Sequence, residues 1–152
     1  MDKKKIIKKE VEELVRKIID EFAIEVEEEK GVYQVKIKTN EAATIIGRYG
    51  ETIRSLQKII EVIAFKKFQQ PLQILVDVND YREKQKEKLE NLAEKMAKKT
   101  LTSNEPSYIE RFSSFERKII HEYITNHYSQ LESYSEGEGR ERRLVIKKRE
   151  GS

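Results

Sequence analysis

The spacing of apolar residues switches repeatedly along this chain, and that switching limits what it can fold into. From 3 to 22, Ile7, Val11, Leu14, Val15, Ile18, Ile19 and Phe22 recur at helical intervals among charges, which predicts one helix. The period then falls to two. Ala23–Glu27 alternates, and Tyr33, Val35 and Ile37 alternate with Gln34, Lys36 and Lys38, so a hairpin turning at Lys30-Gly31 is expected. Asn40 is placed as the N-cap of a short helix that stops at Gly47. Gly47-Arg48-Tyr49-Gly50 leads into a second helix carrying Ile53, Leu56, Ile60 and Ile63. Gln70-Pro71 breaks that helix, because proline lacks an amide donor and disfavours helix in the residue before it. Leu72, Ile74, Val76 and Val78 alternate as a third strand.

The second half mixes the same elements in another order. Asp80 and Glu83 have capping-box spacing ahead of a helix over 80–100, with Leu89, Leu92, Ala93 and Met96 on one side. A loop at 102–106 and a short strand at 108–111 follow. Ser113 and Glu116 form a second capping box, opening a helix that runs to Asn126 with Phe115, Ile119 and Tyr123 towards a core. A strand at 129–134, a turn at 135–139 and a strand at 142–148 complete the chain. The expected fold class is α+β, with an α-β-β-α-α-β domain over 1–78 and an α-β-α-β-β domain over 79–152. Each is a three-stranded sheet with helices packed on one face. The helix 80–100 joins the two without a loose linker.

Composition narrows the function. The 152 residues include no Cys, which excludes a disulfide scaffold, thiolate zinc sites and thiol catalysis, and fits a reducing, cytoplasmic setting. No apolar run approaches the roughly 20 residues that a membrane helix needs, so no membrane insertion is expected. Lys3-Lys4-Lys5 lacks the apolar segment of a signal peptide behind it. The net charge is only +3, but Arg140, Arg142, Arg143, Lys147, Lys148 and Arg149 crowd one short stretch against the single acid Glu141. Such a stripe attracts phosphates even on a nearly neutral protein.

Ile45-Ile46-Gly47-Arg48-Tyr49-Gly50-Glu51-Thr52-Ile53 is the most specific stretch of the first half. Two glycines between helices let a nucleic-acid backbone approach with no side chain in its way. Amides at the start of the second helix suit a phosphate. Arg48 and Arg54 add charge, and Ile46 and Ile53 are expected to line an apolar floor for unstacked bases. With the hairpin upstream and a strand downstream, the pattern resembles the KH domain in its bacterial, type II order. In that module a Gly-x-x-Gly loop clamps about four nucleotides of single-stranded RNA.

In the second half, Arg117 and His121 lie four residues apart on one helix face and are expected to be exposed together, with Lys118 beside them. Arginine offers a planar fork to phosphate, and histidine can donate a hydrogen bond or stack on a base. Asp80-Tyr81-Arg82, Phe115-Glu116-Arg117-Lys118-Ile119-Ile120-His121, Ser135-Glu136-Gly137-Glu138 and Arg142-Arg143-Leu144-Val145-Ile146 together resemble the R-3-H domain of the bacterial Jag (KhpB-type) family. The resemblance covers nearly the whole chain, in the order KH then R-3-H. It implies a cytoplasmic protein that binds single-stranded RNA. It further implies a post-transcriptional regulator or RNA chaperone linked to cell elongation and division. The implied partner is a second copy or a small single-KH protein of the KhpA type. By position, Gly47, Arg48, Tyr49 and Gly50 carry over as the KH loop and Arg117 with His121 as the second signature; Arg140, Arg142 and Arg143 join them as candidate contacts. Many relatives carry a separate N-terminal Jag domain, where this chain has only the helix 3–22. Relatives also often show two arginines where this chain has Arg117-Lys118.

Other chemistries find little support. His121 and His127 are six apart and share no helix face, so a metal site is not expected. No phosphate loop, nucleophile elbow or paired-carboxylate arrangement is present, so neither an enzyme nor a cofactor is expected. The competing readings are a protein-interaction adaptor that dimerises through its KH domain, and a single-stranded DNA-binding protein.

Overall fold

The computed structural model describes residues 2–151. The chain divides into two compact units, between Arg82 and Glu83. The first contains α1 (Lys3–Val15), β1 (Ala23–Glu29), β2 (Val32–Lys38), α2 (Ala42–Ile46), a 3-10 turn (Arg48–Gly50), α3 (Glu51–Phe68) and β3 (Gln73–Val78). Helix α4 (Tyr81–Ser103) starts there and runs on as the first helix of the second unit. That unit continues with β4 (Ser107–Ile109), α5 (Ser114–His127), β5 (Leu131–Glu136), a 3-10 turn (Gly139–Glu141) and β6 (Arg143–Lys148).

In the first unit the strand order is β1-β2-β3, with β1 antiparallel and β3 parallel to the central strand. Val35 sits between Val26 and Val76 in that register. The two-residue period then puts Ile24, Tyr33, Val35, Ile37, Ile74, Val76 and Val78 on one face. They are buried there with Ile7, Val11 and Val15 of α1 and Ile53, Leu56, Ile60 and Ala64 of α3. The outer edge of β3 is closed by side chains. Gln57 Oε1 accepts from the Val76 amide at 3.0 Å, and Arg82 Nε donates to the Val76 carbonyl at 2.9 Å. The backbone groups of Val76 are thereby withdrawn from pairing with another strand.

Two departures from the sequence expectation share one cause. Helix α1 ends at Val15 rather than continuing to 22, and Asn40 does not cap α2, whose N-cap is Glu41 without a side-chain cap bond. Glu41 is engaged elsewhere: its Oε2 accepts from the amides of Asp20 and Glu21 at 3.0 and 3.1 Å. Thr39 Oγ1 donates to the Glu21 carbonyl and accepts from the Glu41 amide. These bonds turn the chain after Val15, so Ile19 enters the core while Ile18 stays exposed. Asp80 likewise forms no capping box. It sits in the left-handed region at φ 59°, unlike the extended N-cap geometry, and Asp77 Oδ1 takes the Arg82 amide instead.

The second sheet is antiparallel throughout, in the order β4-β6-β5. Ile109, Leu131, Leu144 and Ile146 face a core shared with Leu89, Ala93 and Ala97 of α4 and Ile120 and Ile124 of α5. The capping box at α5 forms in full, with Ser113 Oγ accepting from the Glu116 amide and Glu116 Oε2 accepting from the Ser113 amide. The helix phase differs from the expectation by one residue. Glu116, Ile120 and Ile124 are the buried row, whereas Phe115 is 54% exposed and Ile119 and Tyr123 are only half-buried.

Candidate nucleic-acid interface

Helix α2 stops because Gly47 takes φ 75°, ψ 176°, a region open essentially only to glycine. A Cβ there would lie 2.2 Å from Thr52 Oγ1 and 3.0 Å from the Thr52 amide nitrogen. Gly50, at φ 73°, is buried and starts α3; its amide donates to the Gly47 carbonyl at 3.2 Å. Between them Tyr49 is left-handed at φ 56°. Arg48 and Tyr49 are exposed. Arg54 plays a different part from the one expected: its Nη1 donates to the Tyr49 carbonyl at 2.7 Å, bracing the turn. Ile53 is 2% exposed, so it belongs to the core and does not line a floor for bases; of the expected pair only Ile46 stays half-buried. Glu51 opens α3, so cationic attraction at this loop rests on Arg48 and Arg54.

The second unit carries an open groove of about 510 Å³, lined by Ser114, Arg117, Lys118 and His121 of α5, Ser133, Tyr134 and Ser135 of β5, and Arg142 with Leu144. Cationic side chains from two segments meet there, and no carboxylate lines it. Each main polar group is held. Arg117 is half-buried rather than fully exposed, and its Nη1 donates to the Phe112 carbonyl at 2.7 Å. His121 Nδ1 lies 2.6 Å from Ser133 Oγ, itself 9% exposed. Arg142 Nη1 donates to the Gly137 carbonyl at 2.8 Å. Lys118 is exposed and only loosely paired with Glu122, at 3.9 Å. The groove adds Ser114, Ser133, Tyr134 and Ser135, which the sequence reading did not count among the site residues. A period of two over Leu131, Ser133 and Ser135 was the available signal, since it puts both hydroxyls on the face turned towards α5.

The basic stripe at 140–149 does not act as one surface. Arg140 lies in the exposed 3-10 turn and does not line the groove. Arg143, adjacent to Leu144 on the strand, is turned to the other face. Its Nε and Nη2 both donate to Glu136 Oε2, at 3.0 and 2.8 Å, and its guanidinium lies 4.0 Å from the Tyr108 ring centroid. The bond to Glu136 raises its pKa above the ordinary arginine value. Lys147 pairs with Glu132 at 3.3 Å over the Tyr134 ring. Arg149 Nε donates to the Leu131 carbonyl, and Lys148 donates to Asn104. His127 stacks on Tyr123, with ring centroids 4.1 Å apart.

Comparison with known proteins follows the same division. Residues 8–78 match the KhpA/KhpB KH domain, and residues 87–148 match the R-3-H domain. A protein named RNA-binding protein KhpB from Bacillus subtilis (strain 168) is 35% identical over 124 residues, covering 81% of this chain and 60% of that protein. The protein of the same name from Streptococcus pneumoniae (strain ATCC BAA-255 / R6) is 30% identical over 141 residues, 90% of this chain and 43% of its own length. One from Clostridium symbiosum is 29% identical over 126 residues, 83% of this chain and 56% of its own. The chain therefore spans about half the length of these relatives. With a KhpA/KhpB-type KH domain followed by an R-3-H domain, and this similarity across both, the chain belongs to the KhpB (Jag) family.

Proposed function

We propose that the chain binds single-stranded RNA through one site in each domain, KH over 1–78 and R-3-H over 79–152. The first site is the Gly47-Arg48-Tyr49-Gly50 loop with Ile46 and its brace Arg54. The second is the groove carrying Arg117, Lys118, His121 and Arg142. The observation that carries this reading is that groove: cations converge from two segments, with hydroxyls between them and no carboxylate among its described lining residues. The relatives' name, RNA-binding protein KhpB, agrees with it. Two sites on one strand raise avidity roughly 10²–10⁴-fold over either alone. The role is that of a cytoplasmic post-transcriptional regulator or RNA chaperone linked to cell elongation and division. It performs no catalysis and needs no cofactor. No described helix is long and apolar enough to cross a membrane.

Titrating the chain with RNA and DNA of equal sequence at two salt concentrations tests this. RNA binds more tightly than DNA, and the logarithm of its affinity falls with log salt at roughly −0.7 per phosphate contacted. No RNA affinity, or affinity indifferent to salt, refutes the proposal; tighter binding to DNA hands the site to single-stranded DNA.

One observation favours a partner at a second face. Ile59, Val62 and Phe65 of α3 are 47%, 57% and 53% exposed and follow one another every third residue along the helix. This stripe suits pairing through the KH domain with a second copy or with a small single-KH protein of the KhpA type. Sedimentation of the wild type then shows a concentration-dependent dimer or a complex with the single-KH protein. Val62→Asp removes both while leaving the circular dichroism unchanged. A wild type that stays monomeric alone and in the mixture removes this reading.

A further inference from the structure

Tyr49 is the most exposed large hydrophobic side chain among the described residues, at 66%. Its setting is also unusual. Seven described non-glycine residues have positive φ; six are polar, and only Tyr49 is aromatic. Left-handed backbone is costly for a bulky side chain and cheap for asparagine or glycine. Folding alone therefore does not favour tyrosine at this position. The strained residue is also held in place, since Arg54 donates to its carbonyl and Gly50 closes the turn onto Gly47. Two other exposed tyrosines already carry a cation: Arg143 lies over Tyr108 and Lys147 over Tyr134. No such contact to Tyr49 is found among the described residues. A planar apolar face is thus held out to solvent from a braced backbone, beside Arg48 and Arg54.

We propose that the Tyr49 ring is a stacking platform for one unpaired base of the bound strand, set beside the phosphates that the loop admits. This rests on the RNA-binding reading above and adds a base-contacting group to a loop otherwise suited to backbone. Stacking on an aromatic ring tolerates any base, with purines offering more surface. The strain is retained because asparagine, the residue the backbone prefers, has no ring.

The sequence contains no Trp, so Tyr49→Trp places a single indole in the whole chain. Its emission is quenched when an oligoadenylate of about eight nucleotides is added, and stays constant with an abasic chain of the same length. In parallel, anisotropy of the labelled oligoadenylate shows Tyr49→Asn binding roughly 5- to 100-fold more weakly than the parent, and Tyr49→Phe within about twofold. Tyr49→Asn also melts a few degrees higher, because it suits the left-handed backbone. Affinity and stability moving in opposite directions separates a ligand contact from a packing residue. If the parent binds oligoadenylate while the indole is not quenched, or while Tyr49→Asn binds as tightly as the parent, the platform is refuted and RNA binding stands. If the parent does not bind by anisotropy, the RNA-binding reading falls and takes this inference with it.

Discussion

A chain carrying Gly47→Asp with Gly50→Asp loses its first RNA site and melts earlier, and the geometry accounts for much of the effect before charge enters. Gly47 lies at φ 75°, ψ 176°, where any other residue costs about 1–3 kcal/mol. Its new Cβ would meet Thr52 at both side chain and backbone, so α3 would have to shift from its first turn. At Gly50 the Cβ would stand 3.1 Å from Arg54 Nη1 and from the Tyr81 hydroxyl, pressing on the brace of the loop. A shift of roughly 4–8 °C per kcal/mol is expected for a domain of this size, so circular dichroism melting should resolve the loss readily. RNA affinity measured by anisotropy should fall towards that of the second site alone, by as much as the roughly 10²–10⁴-fold advantage of bivalency. Because this pair distorts the loop, Arg48→Glu isolates the electrostatics: Arg48 is exposed, and its reversal should weaken binding without moving the melt. Parent-like affinity in both variants would place the strand elsewhere.

The strands were legible because each sheet has one dry face. A period of two with Val and Ile on one side leaves little choice for β1, β2 or β3, whereas β6 is marked by the apolar run Leu144-Val145-Ile146, all buried. What escaped the sequence was settled by tertiary hydrogen bonds. Nothing local in Ile18-Ile19 announces that α1 has ended; the signal is the Glu41 carboxylate, about twenty residues away in sequence, accepting from Asp20 and Glu21. Asp80 has a capping side chain and the right spacing, but a left-handed backbone decides against it. The phase of α5 was ambiguous in principle. Phe115, Ile119 and Tyr123 form one apolar row, and Ile120 and Ile124 another beside it. The capping box breaks the tie, since Glu116 must fold back onto Ser113, and the row it heads turns inward.

The site was legible in its helix and less so in its strands. Arg117 and His121 share a face because four residues make about one turn, and the groove brings both to one wall. The basic stripe is not the single patch that its composition suggests, and a strand over 142–148 already implies that neighbours alternate. Arg142 precedes the strand and lines the groove, while Arg143 is committed to Glu136 and Tyr108 on the other face. Alternation could put Ser133 on the inward face of β5 but could not name its partner. Its value lies in facing His121 twelve residues earlier, and only the packing of β5 against α5 reveals that contact.

Those contacts change what Arg117→Ala with His121→Ala should do. From sequence, the pair is expected to weaken binding without unfolding. In the structure the double substitution also strips the Phe112 carbonyl and the nearly buried Ser133 hydroxyl of their partners, each worth about 1 kcal/mol. A melting temperature lower by roughly 8–16 °C is therefore expected alongside weaker binding. Melting alone no longer separates a binding role from a structural one, but conservative variants do. Arg117→Lys keeps the charge and gives up the planar fork, and His121→Gln keeps a polar group near Ser133 while removing the imidazole. Both should melt close to the parent and still bind RNA several-fold more weakly. The salt dependence supplies a readout that packing cannot imitate: losing one phosphate contact flattens the slope of log affinity against log salt by roughly 0.7. If Arg117→Lys and His121→Gln bind as the parent does, and the alanine pair lowers stability without changing that slope, the two side chains hold α5 to its neighbours and the groove is not the second site.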